Sequence, residues 1–147
     1  MKLSTRTRYG TRALLELAMH GDGTPMSAGD IAARQEVSEK YLESVLAALR
    51  QAGLVQSVRG AGGGYLLARQ ADDITLRDAY EALEGTDGLV ECTDNAGLCT
   101  RSDGCVTREV WATIHRNLLD QLDAITLAEL AKKAREKQQH RPDMYYI

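Results

Sequence analysis

One segment of this 147-residue chain says most about its fold: Gly53-Leu54-Val55-Gln56-Ser57-Val58-Arg59-Gly60-Ala61-Gly62-Gly63-Gly64-Tyr65-Leu66-Leu67. Residues 54–58 and 65–68 are short apolar-rich runs, the first alternating with polar residues, and a turn rich in glycine separates them. Such runs predict β-strands, and glycines between two strands predict a tight or flexible turn. The segment therefore predicts a two-stranded hairpin with a glycine tip.

Three helices are predicted before this hairpin. The first covers about residues 7–20 and ends where glycine and proline break the apolar pattern. Ser27 is predicted to cap a short second helix and Ser38 a third that continues to Gln51. Three helices followed by a glycine-tipped hairpin are the layout of a winged helix, in which two short helices form a helix-turn-helix unit.

The third predicted helix has the two faces that a recognition helix needs. One face is an apolar stripe, and the first two turns of the other carry side chains that can form hydrogen bonds with base edges in the major groove. The candidate contacts are Ser38, Lys40, Tyr41, Glu43 and Ser44. Glu43 is suited to accept a hydrogen bond from cytosine, and Lys40 to reach a phosphate or a guanine.

The hairpin and the N-terminus supply further candidate DNA contacts. Arg59 is suited to a narrow minor groove, and glycines let the backbone approach the duplex closely. The wing candidates are Arg59, Gly60, Gly62 and Gly63, and Arg8 is the candidate phosphate contact of the first helix. The charge distribution also favours DNA contact by the N-terminal half, because residues 1–70 carry a net charge of +3 and residues 71–147 one of −6.

Other classes of protein fit the sequence poorly. No apolar run approaches the ~18 residues that a membrane span needs, and the N-terminus does not resemble a signal peptide. We therefore expect a cytoplasmic protein without a membrane partner. An enzyme is not predicted, because no motif places a Ser/His/Asp or Cys/His arrangement or a carboxylate pair.

Three cysteines lie within fourteen residues of a polar segment, as Cys92, Cys99 and Cys105. Clustered cysteines in a cytosolic protein more often bind a metal or react with oxidants than form structural disulfides. The C-x2-C pairs that are typical of zinc sites are absent. From spacing alone, an incompletely ligated iron–sulfur cluster and a thiol switch remain equally open.

Several motifs together resemble the Rrf2 family of bacterial regulators. They are Met1-Lys2-Leu3-Ser4-Thr5-Arg6-x-Arg8-Tyr9, Ser38-x-x-Tyr41-Leu42-Glu43, the hairpin segment from Gly53 to Tyr65, Cys105-Val106-Thr107-Arg108-Glu109-Val110-Trp111 and Ile125-Thr126-Leu127-x-x-Leu130. The resemblance implies a winged-helix homodimer whose long helix after the third cysteine crosses its partner. It also implies that the three cysteines ligate an iron–sulfur cluster, [2Fe-2S] in preference to [4Fe-4S]. The fourth ligand is unknown, because Arg108 stands where IscR-type members have a histidine.

We therefore predict a mostly α fold, a winged helix-turn-helix with a small β-hairpin wing plus a long C-terminal dimerisation helix. The predicted divisions are residues 1–70, the winged-helix DNA-binding domain; residues 71–104, a linker helix and the cysteine-containing sensing loop; residues 105–139, the dimerisation helices; and residues 140–147, a C-terminal tail. The predicted function is a homodimeric DNA-binding transcriptional regulator, a repressor or dual regulator. Its affinity for a double-stranded operator would depend on the cluster.

The C-terminal tail carries an alternative. Met144-Tyr145-Tyr146-Ile147 resembles the end of the family's repressors of cysteine metabolism, which dock that end into cysteine synthase. Tyr145, Tyr146 and Ile147 are thus candidate docking residues, since an apolar side chain with a terminal carboxylate is a workable recognition element. In this alternative the chain is a cysteine-metabolism or thiol-redox regulator that acts through a partner enzyme and without a cluster.

Overall fold

The computed structural model describes residues 2–20 and 22–141. The helices in this part of the chain are α1 (Thr5–Met19), α2 (Ala28–Gln35), α3 (Glu39–Gln51), α4 (Leu76–Glu84), α5 (Glu91–Asp94), α6 (Val106–Asp123) and α7 (Leu127–Gln139). The strands are β1 (Val55–Val58) and β2 (Gly64–Leu67), which pair antiparallel. The mostly α winged-helix prediction is confirmed. The candidate docking residues Tyr145, Tyr146 and Ile147 lie outside the described residues.

Hydroxyl side chains set the starts of five helices. The capping residues are Ser4, Ser27, Ser38, Thr75 and Thr126, each of which accepts a hydrogen bond from a backbone N–H of the first turn. Each such cap is worth about 1 kcal/mol. The Ser4 cap places the start of α1 two residues before the predicted start. Thr126 forms a capping box with Glu129, and Thr75 forms a second one with Asp78.

One hydrophobic core joins the helix-turn-helix to α4 and α7. Its fully buried side chains include Leu14, Ile31, Leu42, Leu46, Leu49, Leu54, Ile74 and Leu127. Helix α7 packs on α1 and buries Leu127 and Ala131 in this core. Helix α7 thus packs with the winged helix, although it belongs to a different predicted segment. The division of the chain into four segments stays a prediction.

Two backbone hydrogen bonds connect the halves of the chain. The N–H of Leu76 donates to the carbonyl of Ile125, and the N–H of Leu127 donates to the carbonyl of Ile74, each at 2.9 Å. The bonds lie on either side of a bridge between Thr75 and Thr126, the caps of α4 and α7. They fix the C-terminal end of α6 to the segment that follows the wing.

The wing is held against the segment that precedes α2. The backbone groups of Met26 and Tyr65 exchange two hydrogen bonds, of 3.0 and 2.7 Å. Gly64 has φ +153°, and a Cβ at this position would collide with the carbonyl of Met26. A glycine is therefore required where the returning strand approaches Met26.

We predict that Gly64→Ala lowers the free energy of unfolding by about 2 kcal/mol, because the added methyl must displace backbone rather than a flexible side chain. Urea unfolding followed by circular dichroism measures the change. Gly104→Ala is the matched control, since its Cβ meets nothing within 4 Å. Equal stability of the two variants would contradict the close approach described at Gly64.

Candidate nucleic-acid interface and cysteine segment

Helix α3 buries one face and exposes the other. Leu42, Val45, Leu46 and Leu49 are the buried residues of the helix. Of the five candidate DNA contacts on this helix and its cap, four are exposed: Ser38, Lys40, Glu43 and Ser44. Among the described residues, the side chains of Lys40 and Glu43 form no hydrogen bond and no ion pair, although their backbones take part in α3. Both charged groups are thus available for an external partner.

The fifth candidate, Tyr41, is half-buried and connects α3 to α1. Its ring packs edge-to-face on Tyr9 with a centroid distance of 6.0 Å, and the Arg12 guanidinium lies 5.5 Å from the centre of the Tyr9 ring. Ser38 Oγ accepts from the N–H of Tyr41, and Ser44 Oγ donates to its carbonyl. The tyrosine and the two serines therefore fix the first turns of the helix, and sequence reasoning did not identify Tyr9 as the partner.

The turn before α3 contains an uncommon backbone conformation. Glu36 ends α2 with φ 57° and ψ 43°, which is left-handed and usually occupied by glycine or asparagine. Its N–H donates to the carbonyl of Ala33, and the next N–H, of Val37, donates to that of Ala32. These bonds set the angle at which α3 leaves the turn.

The wing tip is a backbone turn built on glycine. The N–H of Gly63 donates to the carbonyl of Gly60 at 3.0 Å, and a Cβ at Gly63 would collide with the carbonyl of Val58. Gly60 and Gly62 have φ of +101° and +76°. Arg59, Gly60 and Gly62 are exposed and Gly63 is half-buried. The predicted wing residues are thus together at one protruding turn.

A side chain that the sequence reading did not single out connects the wing to α3. Arg50, in the last turn of α3, donates from Nη1 to Ser57 Oγ on β1 at 3.4 Å.

Arg8, the predicted phosphate contact, is exposed and lines a depression of about 340 Å³ with Leu76, Tyr80 and Leu122, beside α4 and α6. Its contact with DNA stays a prediction.

A carboxylate joins the end of α4 to the start of α1. Glu84 accepts a hydrogen bond from the N–H of Ser4 at 2.7 Å and another from the hydroxyl of the buried Thr7. These hydrogen bonds hold the pKa of Glu84 below its usual value. Glu84 immediately precedes residues 85–105, which hold the three cysteines, so this segment begins at a point fixed to α1.

The cysteine segment, residues 85–105, contains more local structure than a polar loop. Cys92 lies in α5, Cys99 lies between the 3-10 turns Ala96–Leu98 and Ser102–Gly104, and Cys105 is the N-cap of α6. All three are free thiols; Cys99 is exposed and the other two are half-buried. Sequence reasoning missed these short turns, because three or four residues are too few to show a helical period of apolar side chains.

The donor set fits an iron–sulfur cluster, because three free thiols lie in one surface segment. They are not brought together as a ligand group: among residues 2–20 and 22–141, no three His, Cys, Asp or Glu side chains are close enough to hold a metal ion. The pKa of Cys105 is lowered, first by the Thr107 hydroxyl, 3.2 Å from the Cys105 sulfur, and then by the backbone N–H of Arg108.

Helix α6 presents apolar side chains to solvent. Val106 is 71% exposed, Val110 47%, and Trp111 and Ile114 43% each. Val106, Val110 and Ile114 are four residues apart, so they form an apolar stripe on one face of the helix. A contiguous apolar face of this kind is a mark of an interaction surface. None of the helices described is long and apolar enough to cross a membrane.

Comparisons with known proteins agree with this arrangement. The family model Rrf2, "Iron-dependent Transcriptional regulator", matches residues 3–133. Protein rrf2 of Nitratidesulfovibrio vulgaris is 46% identical over 134 residues, covering 91% of this chain and 89% of that protein. The structure of T. potens IscR is 42% identical with a TM-score of 0.78, covering 99% and 97% of the two chains. That of CymR, the global cysteine regulator of B. subtilis, is 38% identical with a TM-score of 0.74, covering 90% and 98%.

The fold and the exposed face of α3 define a winged-helix regulator of transcription. The chain belongs to the Rrf2 family. The family and the relatives are transcriptional regulators and not enzymes, which confirms the prediction that this chain is not an enzyme.

We predict that Glu84→Gln lowers the free energy of unfolding by about 1 kcal/mol at pH 7, since it weakens charge-assisted hydrogen bonds at a partly exposed site. The folded-state pKa of Glu84 is depressed, so its contribution is present above the unfolded-state value of about 4.3 and is lost as pH falls through the folded-state pKa. Urea titrations from pH 7 to 3 should show the two stabilities converging. The exposed Asp87→Asn is the control, and a difference that does not change with pH would contradict this account.

Proposed function

We propose that this chain is a homodimeric regulator that binds a pseudo-palindromic operator through α3 and the wing. The observation that carries this proposal is the exposed polar face of α3, fixed to the wing by Arg50 and to α1 by Tyr41. Lys40 and Glu43 project from that face with no other described residue paired to them. A recognition helix and a wing that are connected to each other can contact adjacent grooves of one duplex.

The homodimer is supported by the apolar face of α6. Val106, Val110 and Ile114 would be costly to leave in water, and a second copy of this helix offers the same apolar stripe. A two-fold dimer places two recognition helices at a fixed separation, and half-sites must match it. A change in the position of α6 would therefore change operator affinity.

We further propose that Cys92, Cys99 and Cys105 hold an iron–sulfur cluster, a [2Fe-2S] in preference to a [4Fe-4S]. When bound, such a cluster supplies a centre that responds to electrons, oxidants and iron supply. The fourth ligand remains unassigned within this chain, and Arg108 is not a candidate, since a guanidinium has no free lone pair at physiological pH.

The chain's own residues suggest how the segment reaches the DNA-binding surface. Glu84 joins the start of the cysteine segment to α1, whose Tyr9 supports Tyr41 of the recognition helix. Cys105 begins α6 at the other end of the segment. Reordering of residues 88–105 would thus act on α1 through Glu84 and on the dimer through α6.

We predict different DNA effects for the two charged residues of α3. Once an operator is identified by selection from random DNA, Lys40→Ala should weaken binding to all sequences and reduce the salt slope by about one. Glu43→Ala should cost about 1–3 kcal/mol at one base position and relax the preference there. Fluorescence anisotropy measures both. Lys137→Ala, exposed on α7, is the control, and affinities equal to it for both variants would refute this interface.

The cluster is tested by iron and acid-labile sulfide on anaerobically purified protein, with its visible spectrum. We expect near-stoichiometric iron and sulfide, lost when Cys92, Cys99 or Cys105 becomes Ser. Band-shift assays with and without the cluster should give different operator affinities. Equal affinities would refute control by the cluster, even if the cluster itself is present.

The likeness to CymR favours a second candidate function, regulation of cysteine metabolism without a cluster. It predicts colourless, iron-free protein that still binds DNA. Deleting Tyr145–Ile147 should then abolish binding of a cysteine-biosynthesis enzyme such as cysteine synthase and leave operator affinity unchanged.

A further inference from the structure

A single arginine connects the first cysteine to the helix that begins at the third. Arg108 Nε donates to the backbone carbonyl of Cys92 at 2.7 Å, in a partly buried position. Arg108 lies in the first turn of α6, three residues after Cys105, so both lie near one face of that helix end. The guanidinium is permanently charged, which makes this hydrogen bond stronger than one between neutral groups.

The short helix that contains Cys92 cannot determine its own position. Helix α5 has four residues, and so short a helix is not stable without tertiary contacts. Its internal bonds are local: the N–H of Gly88 donates to Asp94 Oδ2 at 2.8 Å, and the hydroxyl of Thr93 donates to the carbonyl of Val90 at 2.6 Å. These bonds shape the unit 88–94, and the bond from Arg108 fixes that unit to α6.

Cys99 lies in a different setting. It is exposed, and the backbone bonds that flank it close only the neighbouring turns, from Leu98 to Asn95 and from Ser102 to Cys99. The three cysteines therefore differ in how firmly the fold holds them. Cys92 is bonded to the start of α6 and Cys105 caps it, whereas Cys99 lies between the 3-10 turns Ala96–Leu98 and Ser102–Gly104.

We propose that Arg108 is a positioning residue that holds Cys92 at the start of α6, so that Cys92 and Cys105 form the ordered part of the cysteine site and Cys99 completes it. Occupation of that site by a cluster rests on the proposed function, whereas the positioning by Arg108 does not. Arg108 thus orients Cys92 through a hydrogen bond to the Cys92 backbone and does not bind the ligand itself.

The test uses the full-length, cluster-free reduced protein and the variants Arg108→Ala and Arg108→Lys. Arg116→Ala is the matched control, because Arg116 is also on α6 and, like Arg108, lines a depression beside Thr93, but its guanidinium bonds to Thr113 within the helix. Hydrogen exchange of the amides of residues 93 and 95 reports the order of α5. Alkylation by iodoacetamide, resolved by mass spectrometry, compares Cys92 with Cys99 in the same molecule.

We expect Arg108→Ala to raise amide exchange in α5 by about tenfold, since one charge-assisted hydrogen bond is lost. Alkylation of Cys92 should accelerate relative to Cys99, with the melting temperature unchanged. Arg108→Lys should recover part of the protection, and Arg116→Ala should match the parent protein. A purely structural role would instead lower the melting temperature and affect both cysteines alike.

Unchanged exchange and alkylation in Arg108→Ala, or the same change in Arg116→Ala, would overturn the proposal. Iron and sulfide content, measured separately after anaerobic reconstitution, distinguishes failure of the positioning proposal from failure of the cluster proposal. Parent protein that binds no iron refutes the cluster and leaves the positioning result standing. Parent protein that binds iron, with Arg108→Ala unchanged in exchange and alkylation, refutes the positioning alone.

Discussion

Two backbone hydrogen bonds, between Leu76 and Ile125 and between Leu127 and Ile74, are the constraint on which the arrangement of the molecule depends. They join segments about fifty residues apart at a point where Ile74 and Leu127 are fully excluded from water. Unpaired backbone groups in such a place would be costly, so the pairing is strongly favoured. Helices α4 and α7 both begin here, and both therefore pack on the winged helix.

The pairing makes the DNA-binding unit larger than the helix-turn-helix and wing. The core that supports α3 includes side chains from α4 and α7, and Glu84 adds a polar connection to the N-terminus of α1. The recognition helix is consequently supported on one side by Tyr9 and on another by the wing, through Arg50. The cysteine segment lies between α4, which is part of this unit, and α6, which packs on α4.

Patterns of short range carried most of the fold prediction. The glycines from Gly60 to Gly64, the serine caps and the apolar stripe of α3 each reflect a local requirement of backbone or packing, and each is visible in the sequence. The pairings of Glu84 with Ser4 and of Arg108 with Cys92 are not, because polar side chains far apart in sequence meet only once the helices have packed. Likewise, the spacing of the cysteines indicates a site but not how the three residues are held.

The same limit applies to the candidate DNA contacts. Sequence reasoning assigned Tyr41 to base contact because it lies in the first turns of a recognition helix. The structure gives its ring an intramolecular partner, which periodicity alone does not reveal. The exposure of charged residues such as Lys40 and Glu43 is easier to predict, since a helix that buries its apolar stripe leaves them on the opposite face.

Helix α6 is attached firmly at one end and progressively less toward the other. Its last residue, Asp123, lies beside the Thr75–Thr126 bridge, and Thr75 Oγ1 is 3.4 Å from the Asp123 carboxylate. Toward the N-terminus its stripe becomes more exposed, from 43% at Ile114 to 71% at Val106. A helix of this length spans about 27 Å, so a tilt of about 10° at the attached end displaces the other by about 5 Å. Because Cys105 caps the less firmly held end, a small change of angle beside Asp123 and a displacement of several ångströms at Cys105 are one and the same motion of the helix.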